Sequence, residues 1–226
     1  MPLSLFDREP LEALIMSETN SSHIGHESQE TASHPVAPGA VTIADPGPLG
    51  LGAFATTTFV LSVVNAGIVD KSVEPVVLGL ALFYGGLAQL LAGMWEFRKG
   101  NTFGALAFCS FGAFWLSFFY YVSFVAEKIG PHVGTATGLF LLAWTIFTAY
   151  MTIASLRTNG GILAVFVALT LTFLFLTLGA FAGSAGFTVI GGYLGILTAL
   201  LAWYVSFAGV TNATFNRTVM PVWPRG

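Results

Sequence analysis

The feature that most limits this chain is where its charges are missing. Six stretches, 49–67, 76–95, 103–125, 135–154, 161–180 and 188–209, contain no Lys, Arg, Asp or His. Each is close to the ~20 mostly apolar residues that a helix needs to cross ~30 Å of hydrocarbon. Backbone in lipid must satisfy its own hydrogen bonds, which leaves helices and closed barrels. The runs are continuous rather than alternating, which argues against a barrel. Across all 226 residues 55% are apolar and 8% charged, against roughly 25% charged in a soluble domain. So few charges cannot cover a soluble globule. The expected fold class is an all-α integral membrane protein with six transmembrane helices.

The charges that do exist fall in short connectors: Asp70-Lys71 and Glu74, then Glu96, Arg98 and Lys99, then Glu127-Lys128, then Arg157. Six crossings put both termini on one side of the membrane. That side carries Arg8, Arg98, Lys99, Arg157, Arg217 and Arg225, and the other only Lys71 and Lys128. The positive-inside rule therefore places both termini in the cytoplasm. On that topology the sequons at Asn20, Asn212 and Asn216 stay unmodified.

Residues 1–49 differ in kind from the rest. Seven acidic residues there face Arg8 alone, a net charge of −6, whereas seven basic against four acidic residues make the remainder +3. With little apolar surface to offset chain entropy, 1–48 reads as a disordered acidic cytoplasmic tail. Leu11–Met16, interrupted by Glu12, is too short for a secretory signal core. His23, His26 and His34 read as scattered solvated side chains. Residues 49–212 form the expected six-helix membrane domain, and 213–226 a short cytoplasmic C-terminal tail.

Several function classes drop out. A net charge of −3 with eight basic residues disfavours nucleic-acid binding. The single Cys109 allows neither an internal disulfide nor a Cys-cluster metal site, so no metal and no cofactor is expected. No HExxH, GxSxG or P-loop occurs and no His lies in a span, which argues against an enzyme. No ionisable side chain lies well inside a span, which argues against a pump or a charged cation pathway. What remains is polar but neutral. Thr56, Thr57, Thr58, Ser62 and Asn65 lie on the first span, Gln89 on the second, and Thr170, Thr172 and Thr177 on the fifth. Hydroxyls often bond back to their own helix. Asn65 and Gln89 are costlier in hydrocarbon and are candidates for a polar passage. The many small residues, among them Gly79, Gly85, Gly86, Gly93, Gly112, Gly191 and Gly195, suit close helix packing. Trp95 and Trp203 suit interfacial anchoring, and the deeper Trp115 and Trp144 suit packing.

Specific stretches carry a resemblance. Asp45-Pro46-Gly47-Pro48-Leu49-Gly50-Leu51 is similar to the signature NPAPLGL at the start of the first span. Phe83-Tyr84-Gly85-Gly86-Leu87-Ala88-Gln89, Ala92-Gly93-Met94-Trp95-Glu96-Phe97, Asn101-Thr102-Phe103-Gly104 and Phe114-Trp115-Leu116-Ser117 extend the likeness. Together, over about 45–220, the chain resembles the acetate uptake transporter family of bacterial acetate–succinate permeases and fungal acetate permeases. It is similar to the fungal members in particular through Ala202-Trp203-Tyr204 and the acidic tail. The resemblance implies a plasma-membrane homo-hexamer with one substrate path per subunit. It also implies proton-coupled uptake of acetate and related short carboxylates such as propionate, formate or succinate.

The family's hydrophobic constriction of a Phe, a Tyr and a Leu maps to Phe54, Phe111 and Leu169, so Phe111 lacks the usual hydroxyl. These three lie about 5, 8 and 8 residues into spans that start on the same side, or ~7–12 Å deep, which is compatible with a shared ring. Asp45 replaces the signature Asn. Either can cap the helix, but an ionised Asp45 would repel an anionic substrate. The expected path runs past Thr57, Thr58, Asn65, Tyr84 and Gln89 to a dry ring that excludes hydrated ions by dewetting. A membrane sensor or regulatory protein for acetate or ammonium adaptation is the alternative reading.

Overall fold

The computed structural model describes residues 43–225. Residues 1–42 of the acidic tail, with its three histidines, therefore lie outside the described residues, and Gly47 and Pro48 at the tail's expected end already belong to the first helix. Helix α1 spans Gly47–Asn65. A 3-10 turn, Lys71–Val73, leads into α2 (Val76–Leu82), which continues through a π-helical stretch, Phe83–Ala88, into α3 (Gln89–Lys99). Next come α4 (Thr102–Tyr120), a second π stretch, Tyr121–Val125, and the short α5 (Ala126–Ile129). The chain ends in α6 (Val133–Ser155), α7 (Gly160–Ala182) and α8 (Ala185–Phe215). Among the described residues the only extended pairing is an isolated bridge between Asn159 and Pro224.

Among the described residues five helical stretches are long and apolar enough to cross a membrane, one of them the 54-residue run Thr102–Ser155. That run folds back on itself. Gly130 stops α5 at φ +63°, a left-handed conformation that glycine adopts without a Cβ clash. Beyond it, α6 retraces α4 in the opposite direction. Tyr121 bonds Thr137, Phe114 packs on Phe140 and Trp144, and Phe111 packs on Phe147. Among the described residues the helices thus make six passes through the bundle: α1, α2–α3, α4–α5, α6, α7 and α8.

The starts of α4 and α7 are capped by asparagine side chains, whereas Ser184 before α8 makes no such bond. The Asn101 side chain accepts from Gly104 N–H at 3.1 Å, and that of Asn159 from Ile162 N–H at 2.9 Å. Each satisfies one of the four N–H groups a helix start leaves open. The last helix is longer than its apolar run. It continues to Phe215 and stops at Asn216, which takes φ +50°. Its 31 residues measure ~46 Å. The chain from 213 is therefore helical at first, and it then returns over the start of α7. Gly160 and Gly161 N–H donate to the Trp223 and Val222 carbonyls, and Arg225 N–H to that of Thr158.

The small residues act largely as expected. A Cβ at Gly93 would meet Cys109, at Gly112 Leu90, and at Gly191 Leu176, whereas Gly79 faces open space. Trp95 is exposed. Trp203 instead turns inward: its indole donates to Thr56 Oγ1 at 3.3 Å and its ring packs on Phe59 at 5.1 Å. Closeness to a span end alone does not say which way an indole turns.

Candidate functional site

A cavity of about 500 Å³ occupies one end of the bundle. Its walls come from the starts of α1, α4 and α7 and the ends of α3 and α8. Lining residues from α1 are Gly47, Pro48, Leu51 and Phe54, which step inward along one helix face. Phe103, Ala107 and Phe111 from α4, and Ile162, Phe166 and Leu169 from α7, step inward the same way. Phe54, Phe111 and Leu169 are each at most 4% exposed and are the deepest lining residues on their helices.

The floor is a packed aromatic cluster. Phe111 lies 5.7 Å from Phe54 between ring centroids. It also touches Phe166 at 6.1 Å and Phe173 at 6.4 Å. Those two residues sit one turn on either side of Leu169, so Phe111 and Leu169 lie at one level. A Cβ at Gly50 would come within 2.7 Å of the Phe108 ring. Glycine there lets α1 approach α4 closely enough for Phe54 to reach Phe111.

The mouth is polar. Asp45 Oδ1 accepts from Gly47 N–H at 2.9 Å and from Lys99 Nζ at 2.7 Å. This pair is half exposed, and such pairs contribute little to stability, roughly 0–1 kcal/mol. It does set the electrostatics, because Lys99 offsets the charge that Asp45 would otherwise present to an anion. Glu96 lines the cavity and is only 1% exposed. Its Oε2 accepts from Asn101 Nδ2 at 2.9 Å. The starts of α1, α4 and α7 all point into this mouth, and the positive end of a helix dipole favours anions.

The anticipated residues divide into two groups. Phe54, Phe111, Leu169, Gln89, Asp45 and Pro48 line the cavity. Gln89 is 1% exposed and its Oε1 has no protein partner. Thr57, Thr58, Asn65 and Tyr84 do not line it. Thr57 donates to the Ala53 carbonyl at 3.0 Å and packs where a Cβ on Gly85 would clash with it. Thr58 lies a turn beyond Phe54. Asn65 is the last residue of α1, and the Tyr84 hydroxyl faces Gly52. Of the signature, Pro46 and Gly50 are buried, and Leu49 is 47% exposed on the outer surface.

Sequence reading alone passes over Glu96, Lys99 and Asn159 as ordinary connector residues. A signal exists for Asn159, as for Asn101: each stands just before an apolar run, where a cap belongs.

A sequence profile described as the GPR1/FUN34/yaaH family matches residues 29–224. The chain belongs to that family. Acetate permease A of Emericella nidulans is 42% identical over 199 residues, covering 79% of this chain and 65% of that one. The succinate-acetate/proton symporter SatP of Escherichia coli is 36% identical over 191 residues, covering 81% and 97%. The solved structure of the bacterial acetate channel SatP superposes with a TM-score of 0.74 at 36% identity, covering 80% of this chain and 99% of that one. Against the first fungal relatives it matches, this GPR1/FUN34/yaaH chain spans 62–65% of their length.

Proposed function

We propose that this protein is a membrane transporter or channel for acetate and related short monocarboxylates, with propionate, formate or succinate as further candidates. The observation that carries the reading is the cavity: a polar mouth, three helix starts facing inward, and a floor closed by Phe54, Phe111 and Leu169. Relatives named as an acetate permease and a succinate-acetate/proton symporter support the choice of ligand. A short carboxylate has one charged end for the mouth and a methyl group for the floor. Each of the six helical passes crosses the membrane in this reading, with both termini in the cytoplasm. The cavity is then the cytoplasmic vestibule, the floor is the constriction, and subunits assemble as a homo-hexamer in the plasma membrane.

Coupling to protons needs a group that exchanges one near the path. Glu96 is that group in this reading: a carboxylate buried at the vestibule wall, with Asp45 and Lys99 as its charged neighbours on the same cavity. An anion alone would cross an apolar ring at high desolvation cost, and a co-transported proton lowers it.

The test is uptake of labelled acetate by the purified full chain in liposomes, with and without an inward proton gradient. Uptake above empty vesicles, increased by the gradient, is the expected result, and Glu96→Gln should remove the increase. Vesicles that take up no more acetate than empty ones would sink the transport reading.

A further inference from the structure

Among the described residues three buried side-chain polar atoms have no protein partner: Gln89 Oε1, Thr58 Oγ1 and Trp115 Nε1. A buried donor left unpaired forfeits its hydration without return, and native structures hold few such groups. Gln89 belongs to the cavity already described. The other two lie outside it.

Thr58 and Trp115 share one level of the bundle. Thr58 stands four residues past Phe54 on α1, and Trp115 four past Phe111 on α4. Residues four apart share a helix face, so each continues the face that carries the floor. The two helices run side by side in one direction, since Gly50 adjoins Phe108 and Phe54 adjoins Phe111. The same offset sets Thr58 and Trp115 at one depth, one turn beyond the floor.

Both donors are set apart from their surroundings. Nine other helical threonines, from Thr56 and Thr57 to Thr198, donate to the carbonyl four residues back. Thr58, 6% exposed, makes no such bond. Trp115 is 2% exposed and packs on Phe114 at 5.0 Å and Phe118 at 5.8 Å, neither of which offers an oxygen. The indole N–H can only donate, and a hydroxyl can donate beside it. Two buried donors without a protein acceptor call for an acceptor with two oxygens.

We propose that Thr58 Oγ1–H and Trp115 Nε1–H form a carboxylate-binding station just beyond the aromatic floor, filled by a short carboxylate that has passed Phe54, Phe111 and Leu169. This rests on the transport reading above. No cationic side chain lies on the Thr58 or Trp115 turn, so the station holds its ligand by neutral donors alone. Such binding is strong enough to draw the carboxylate through and weak enough to let it leave.

The probe is the Trp115 indole proton, observed by NMR in the full chain in nanodiscs and assigned by its loss in Trp115→Phe. Sodium acetate should move it downfield in a saturable way, with no response to sodium chloride. Thr58→Val should weaken the midpoint about tenfold, the scale of one hydrogen bond to a charged group. In liposomes Thr58→Val and Trp115→Phe should each raise the acetate concentration for half-maximal uptake by a similar factor. An indole proton that ignores acetate, or that follows chloride equally, overturns the station if wild-type vesicles still take up acetate. Wild-type vesicles without uptake defeat the transport reading instead, even where the indole responds.

Discussion

At one end of the bundle Asp45, Asn101 and Asn159 turn their side chains to helix starts around an open cavity. Two turns past Leu169, Thr145 and Thr177 turn theirs to each other at 3.0 Å, and Thr145 also donates to its own helix at Leu141. Both regions are polar, and composition does not distinguish them. The difference lies in where the hydrogen bonds go. In the far region they close within the protein, so the threonines hold helices together. In the near region Gln89 Oε1, on the cavity wall, has no protein partner. Polar residues in a membrane helix therefore mark a path only where their bonding capacity is left over, as at Gln89.

The largest expected effect comes from opening the boundary between these regions. Leu169→Ala and Phe54→Ala each remove a buried side chain from the cavity floor. Each should raise succinate uptake relative to acetate about tenfold in liposomes, because a wider gap no longer excludes the larger acid. Unchanged selectivity and rate in both variants would remove the floor from the path. Phe54→Ala should also cost folding stability, about 3–5 kcal/mol, read as a lower thermal midpoint.

A smaller effect tests the mouth. Asn159 caps α7 from the cavity wall. Asn159→Ala should lower stability by about 1 kcal/mol, the usual loss of a cap, and should reduce acetate uptake because α7 frays where it meets the vestibule. Asn159→Asp retains the acceptor and should recover stability. If Asn159→Ala keeps full uptake, the near region tolerates a loosened wall and its polar rim is only structural.

How much of this is legible in the sequence depends on the kind of bond involved. The helical passes can be read from the charge-free runs, because lipid leaves an apolar backbone few other choices. The end of α8 cannot, since Thr211, Asn212 and Thr214 break the apolar pattern while the helix continues to Phe215. Phe54, Phe111 and Leu169 look like any core residues on their own spans. Only the family likeness singles them out, and only packing shows that Phe111 touches Phe54. Glu96 reads as a connector charge because its burial depends on the start of α1, far away in the sequence, as well as on Asn101 close by. Thr57 and Thr58 are the sharpest case. They are identical neighbours, yet one hydroxyl returns to its helix and the other does not.

The smallest expected effect falls in the far region. Thr177→Val removes the hydroxyl that meets Thr145, while Thr145 keeps its bond to the Leu141 carbonyl. Interhelical hydrogen bonds of this kind contribute about 0.6 kcal/mol on average, and valine fills nearly the same volume. The thermal midpoint should therefore fall slightly, and acetate uptake should keep its rate and half-saturation. A large loss of uptake at unchanged stability would mean that carboxylate passes this threonine pair. The distinction between closed and open polar groups would then fail in the half of the bundle where it is drawn most simply.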